Sequence, residues 1–251
     1  ITGLGMPTSA AVQGDYVSVP DLQGRLVILD KSNTIVAVLG HNADPKKGGN
    51  FNVPQDQWVE GVFSGTHGSY WDAAGNLYVS DLDNNRIRKI STSGIITTIA
   101  GNGTTGPGQN NVAATSTPLF TVTRMTVDRA GNLYFVEIPS PDFPRIRRID
   151  TNGILTTVVG GGLNLPTDGS AALGAGVFPL AVAADGSGNL YFADLLSQGV
   201  FRVDANGKLK LLAGGSYSSG FSGDGGSALS ARFHLQVYPS IGVDSTGSVY
   251  V

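Results

Sequence analysis

The chain has 251 residues, of which 41% are hydrophobic and 14% charged, so it holds ample apolar material for a sizeable core. Net charge is −3 with Lys and Arg spread over several segments, and the lack of a basic stripe argues against a nucleic-acid partner. Cysteine is absent, which excludes disulfides, thiolate metal sites and a cysteine nucleophile, and no apolar run approaches the roughly 20 residues of a membrane span.

Taken in chain order, short alternating runs appear first at Ala10 to Gln13, Asp15 to Pro20, Gly24 to Asp30 and Thr34 to Gly40. Their length and alternation predict four strands, a to d. The long segment from His41 to Thr66 follows, and then a clearer version of the same unit. In that version Asp72 closes strand a, Gly75-Asn76-Leu77-Tyr78 opens b, Arg86 to Ile90 forms c, and Ile95 to Gly101 forms d. Asp128 with Gly131-Asn132-Leu133-Tyr134, Arg145 to Ile149 and Ile154 to Gly160 repeat it. So do Asp185 with Gly188-Asn189-Leu190-Tyr191, Val200 to Asp204 and Lys208 to Gly214. A fifth copy starts with Asp244 and Gly247-Ser248-Val249-Tyr250 and reaches Val251 after strand b. The 36 glycines serve this plan, because each short strand needs a tight turn at its end.

Tandem units of four antiparallel strands describe the blades of a β-propeller, since one blade cannot bury both of its faces alone. The expected fold is therefore an all-β, single propeller domain over 1–251. Its blades lie at about 8–40, 66–101, 121–160 and 179–214, with a partial fifth at 237–251. In such a blade the a–b and c–d turns lie at one end, and the b–c and d–a connections at the other. The d–a connections are long, from His41 to Thr66, Asn102 to Thr121, Gly161 to Pro179 and Gly215 to Val237. Loops of this length are usually functional, so the face they share is the expected binding surface.

The Gly-Asn-Leu-Tyr and Arg-Ile patterns resemble NHL-repeat propellers. From about 24 to 81 the chain is similar to bacterial relatives of peptidyl-α-hydroxyglycine α-amidating lyase. The residues that carry this are Leu39 to Lys47, Val53 to Trp58 and Thr66 to Asp72. From about 85 to 251 it resembles tandem NHL-repeat proteins of bacteria, through Arg86 to Gly103 and the loop Gly220-Phe221-Ser222-Gly223-Asp224-Gly225-Gly226. A junction within one blade, near Asp81 to Asn85, predicts a mosaic or chimeric origin. NHL propellers usually have six blades, which at roughly 57 residues per repeat needs about 340. Ring closure is therefore expected through self-association, as a homo-oligomer completing the propeller, or through a further segment.

The resemblance to the lyase implies a zinc held by histidines in a central channel, with His67, at the start of an inner strand, as the metal ligand. His41 and His234 are the other two histidines. Against this, the residue pattern brings no three imidazoles together, and a loop histidine bonded to backbone is the plainer reading. The acidic set Asp21, Asp81, Glu137 and Asp194 recurs at the end of strand b. It could hold Ca²⁺ through oxygen ligands, but a residue repeated in every blade more naturally serves that blade, by pairing with the arginine of strand c. Trp58, Tyr70, Trp71, Phe51 and Phe63 cluster around the longest connection and could grip a peptide or stack on a sugar.

The residues thus point first to a binding or scaffolding module for a protein, peptide or glycan, with no nucleic-acid or membrane partner. The alternative is a metal-dependent lyase or hydrolase centred on His67. Absence of cysteine with enrichment in Gly, Ser and Thr favours an extracellular or periplasmic setting over a cytoplasmic one.

Overall fold

The computed structural model describes residues 7, 9–21, 25–40, 63, 66–139, 143–236 and 239–251. The chain divides into two compact units: Ile1–Gln109 with Ala113–Thr123, and Asn110–Val112 with Arg124–Val251. No helix among the described residues is long and apolar enough to cross a membrane.

The first unit holds two four-stranded sheets, each in simple sequential order. One runs β1 (Ala11–Gln13), β2 (Tyr16–Asp21), β3 (Arg25–Asp30), β4 (Ile35–Leu39). The other runs β5 (Thr66–Trp71), β6 (Leu77–Asp81), β7 (Arg86–Ile90), β8 (Ile96–Ala100). They pack face to face through Leu26, Phe63, Leu77 and Val79, with Leu39, Trp71 and Ile96 around them. Every residue of β6 is buried, because a central strand is covered on both faces once its sheet has a neighbour.

After the two-residue β9 (Val112–Ala113), the next sheet comprises β10 (Thr121–Val127), β11 (Leu133–Ile138), β12 (Arg145–Ile149), β13 (Ile154–Asn164) and β14 (Leu173–Ala175). It is followed by β15 (Pro179–Ala184), β16 (Leu190–Asp194), β17 (Gly199–Val203) and β18 (Leu209–Gly214). In the second unit Val136, Ile146 and Val159 pack against Val182, Phe192 and Phe201, and Phe192 stacks on Phe201 with ring centroids 5.4 Å apart. A two-stranded sheet, β19 (Gly242–Val243) with β20 (Val249–Tyr250), begins the fifth copy. Ala181, Ala193 and Leu235, with Ile241 beside them, connect it to the fourth blade.

The repeated aspartates form the turns. Asp72 Oδ1 accepts the amides of Ala74 and Asn76 at 3.0 and 2.8 Å, and Oδ2 accepts Asn76 Nδ2 at 2.8 Å and the Tyr78 hydroxyl at 3.1 Å. Asp128, with Asn132 and Tyr134, and Asp185, with Asn189 and Tyr191, repeat these bonds. Four residues thereby fix a turn and tie it to strand b, which explains why Asp, Asn and Tyr recur together. Burial, then the charge of Asp128, pushes the Tyr134 phenol up to about 12.

The long connections differ from the open loops expected. β13 extends to Asn164, and β14 returns parallel to it, with Gly160 opposite Leu173 and Asn164 opposite Ala175. Further along, the middle of two connections, 102–120 and 161–178, lies on the outer strand of the following blade. Asn110 Oδ1 accepts the Thr157 amide at 2.8 Å, and the Asn111 amide donates to the Leu155 carbonyl at 2.8 Å. One repeat later, Asp168 Oδ1 accepts the Leu211 amide at 2.8 Å, Gly169 donates to the Leu209 carbonyl at 2.7 Å, and Lys210 Nζ pairs with Asp168 at 3.0 Å. A sheet edge with free amides invites unwanted pairing, and this clasp covers it.

The clasp has a pH signature. The Leu211 amide and then Lys210 hold the Asp168 carboxyl below its ordinary value of 3.8. A depressed carboxylate stabilises the fold above the unfolded pKa and loses that contribution as pH falls through the folded one. The Leu211 amide is therefore expected to stay protected from hydrogen exchange near neutral pH and to lose protection selectively within β18 only as the pH falls below the ordinary carboxylate range. Protection at Leu211 that Asp168→Asn leaves unchanged near neutral pH counts against the Asp168 bond.

Candidate functional site

The strand-b carboxylates are all buried and all bonded. Asp21 pairs with Arg25 at 2.9 Å. Asp81 accepts Asn84 Nδ2 at 2.7 Å, with Arg88 at 3.7 Å. Glu137 takes Arg145 Nε at 2.8 Å and the fully buried Arg147 at 3.0 Å. Asp194 accepts the Ser197 amide and hydroxyl at 2.8 and 2.6 Å and the Phe178 amide at 2.6 Å. These carboxylates stabilise the b–c turns, and in the first three copies an arginine beside strand b supplies the counter-charge. Burial raises the Asp194 pKa, against the pull of the Ser197 bonds.

The other described sequence candidates fall in both units, most of them in β5. His67 is half-buried in β5 beside Gly68, whose amide donates to Ser80 Oγ at 2.9 Å. Tyr70 lies opposite Tyr78 in the β5–β6 ladder and is half-buried. Trp71 packs on the core around Leu77, and Phe63 is buried in that core, so both act there as packing residues. Trp58, Phe51 and His41 lie outside the described residues. His234 is exposed and lines, with Phe233, Gln236, Pro239 and Val251, an open cavity of about 410 Å³. No group of three His, Asp or Glu side chains that could hold a metal occurs among the described residues.

Tyr217 is a residue that the sequence reading passed over. Its backbone is left-handed at φ 56°, a conformation in which a bulky side chain is a genuine outlier. Two bonds hold it there: its amide donates to the Ser197 carbonyl at 3.0 Å, and its hydroxyl to the Pro166 carbonyl at 2.7 Å. Ser197 sits in the b–c turn of the fourth blade, and Pro166 in the connection that enters it. The exposed side chains of Leu196 and Leu165 adjoin those two residues, and Leu163, 76% exposed, lies two residues further back. Tyr217 thus ties three loops together, its phenol pushed up by partial burial and then by the charge of Asp194. The signal was faint: one aromatic in the run Gly214-Gly215-Ser216-Tyr217-Ser218-Ser219-Gly220.

No protein-family model matches the chain, and no curated protein matches it. Solved structures do. A gluconolactonase-like protein aligns over 98% of this chain and 71% of its own, at 14% identity and a TM-score of 0.58. A nutrient-binding protein of Bacteroides thetaiotaomicron aligns over 98% of this chain and 56% of its own, at 13% identity and a TM-score of 0.58. A streptogramin B lyase aligns over 82% of this chain at 17% identity and a TM-score of 0.50, and the present chain spans about half of it, 53%. At these identities the likeness concerns the fold alone, and that fold is an all-β propeller built from four-stranded antiparallel blades.

Proposed function

We propose that the chain is a β-propeller binding module that takes a protein or peptide at Tyr217 and the exposed leucines of the loops it ties together. The observation that carries this reading is the strained, doubly tethered Tyr217. A left-handed bulky residue costs on the order of 1–3 kcal/mol and persists where its surroundings hold it for a purpose. Exposed aromatic side chains on a rigid support are what a protein ligand engages most strongly. The strand-b carboxylates, by contrast, are already committed to turns. A glycan could also stack on Tyr217, but the leucines around it favour an apolar side chain. That one solved neighbour is a nutrient-binding protein, and another an extracellular domain, supports a binding role in an extracellular or periplasmic setting.

Selection of displayed peptides on the immobilised chain tests the proposal. Peptides enriched in apolar residues are expected, and Tyr217→Ser should weaken them about thirtyfold in calorimetry, as loss of an interface hot spot does. Selected peptides that bind Tyr217→Ser unchanged overturn the reading. Stoichiometric zinc in chelator-free protein, lost in His67→Ala, would replace it with the metal-dependent lyase or hydrolase.

A further inference from the structure

Asn-Gly pairs occur at Asn102-Gly103, Asn152-Gly153 and Asn206-Gly207. In such a pair the glycine nitrogen can attack the asparagine Cγ, because no side chain on glycine screens it. The surroundings separate the three pairs. Asn102 Oδ1 accepts the Thr104 amide at 3.0 Å and the Thr104 hydroxyl at 2.7 Å, which holds its side chain in place. Gly103 is buried, and a Cβ on it would lie 2.5 Å from Arg86 Nη2. That pair has no room to react. Asn152 and Asn206 are exposed at c–d turns, and their side chains make no hydrogen bond among the described residues. Nothing lies within 4 Å of the Cβ direction of Gly153 or Gly207, so a ring closing on either nitrogen meets no neighbour.

The two open pairs sit in the same kind of turn. Asp150 accepts the amides of Asn152 and Ile154, both at 2.9 Å, and Asp204 those of Asn206 and Lys208, both at 2.8 Å. Gly153 and Gly207 donate to the Asp150 and Asp204 carbonyls at 2.9 and 3.0 Å. That bond must open before attack, and in an exposed turn its opening costs little. The pairs differ in what the glycine carbonyl holds. Gly207 accepts the Ala172 amide at 2.9 Å, beside the Ala171–Lys208 bridge of the second clasp, and Ala172 is wholly buried. We propose that Asn206 is a site of spontaneous deamidation that loosens this clasp. The Gly207 nitrogen bonds to Asn206 Cγ, the Cγ–Nδ2 bond breaks, and the amide group leaves with the glycine proton as ammonia. Water then opens the resulting succinimide at either carbonyl, to aspartate or to isoaspartate. Isoaspartate routes the main chain through Cβ and Cγ, which inserts one further C–C bond of about 1.5 Å ahead of Gly207. The Gly207 carbonyl moves off Ala172 and leaves a buried donor without its acceptor. None of this depends on Tyr217.

Ageing of the full-length, folded protein in mildly alkaline buffer tests the proposal, with peptides mapped by mass spectrometry and isoaspartate identified by backbone fragmentation. Conversion is expected at Asn206 and Asn152, faster as the pH rises because the attacking nitrogen must lose its proton, and about tenfold slower at Asn102. In the aged chain the Ala172 amide should exchange with solvent about tenfold faster, as for a buried donor that has lost its partner. The Asn111 amide of the first clasp, bonded to Leu155 and not to Gly153, should keep its protection. Asn206→Ser is expected to age without the change at Ala172. Fresh Asn206→Asp, which brings the charge without the longer main chain, is expected to keep Ala172 protected. Conversion of Asn206 no faster than that of Asn102 in the folded chain overturns the proposal. So does isoaspartate at 206 with the Ala172 amide still protected.

Discussion

Glu137→Ala is expected to lower stability by about 3–5 kcal/mol, a large share of the 5–15 kcal/mol that holds a typical domain together. Glu137 Oε2 binds both Arg145 and Arg147, and the Arg147 side chain is wholly buried. Removing the carboxylate leaves two guanidinium groups inside the third blade without their counter-charge. The fourth blade shows the apolar solution at the same place. Arg147 lies opposite Phe135 in its ladder, and Phe201 lies opposite Phe192 in the other. The double variant Glu137→Ala/Arg147→Phe should therefore recover much of the loss, since an apolar side chain of similar volume often replaces a buried ion pair at little penalty. Urea denaturation reads both. A single-variant loss below about 1 kcal/mol would mean that water reaches Arg147.

The second large effect is expected at Gly101. It is left-handed at φ 83°, and a Cβ there would sit 2.0 Å from the Asn85 carbonyl oxygen, which is rigid backbone in the b–c turn. Gly101→Ala combines the left-handed penalty with displacement of that turn, about 3–5 kcal/mol in sum. Gly94 is equally left-handed, at φ 80°, but nothing lies within 4 Å of its Cβ direction. Gly94→Ala should therefore lose only about 1–2 kcal/mol. Thermal or urea midpoints of the pair separate crowding from backbone conformation, and equal losses would refute the close approach.

These sites also show how much the sequence discloses. Asp72, Asn76 and Tyr78 are legible because a local turn needs all three within seven residues, so spacing alone exposes them. The blade strands are legible for the same reason: each bonds to its sequence neighbour. Arg147 is not, since Arg88 and Arg147 read alike, and only packing decides that one is buried completely. The clasps are harder still. Asn110 and Asp168 bond to strands more than 40 residues away, and an Asp-Gly pair reads as an ordinary turn. Tyr217 stands out only once its dihedral angle is known. The aromatic cluster shows the opposite limit: Phe63 and Trp71 pack on a core, and composition alone does not separate that use from a binding one.

Because each clasp belongs to the sheet after it, the visible blade and the heritable module are out of phase. A gene segment copied from the first residue of an inner strand to the last residue of its outer strand would part that outer strand from its cover. One copied from Asn110 to Thr167 carries cover, four strands and the start of the next connection together. Duplications with that offset yield repeats that are protected from birth, and recombination points in such genes should fall inside the connections, not at the strand boundaries.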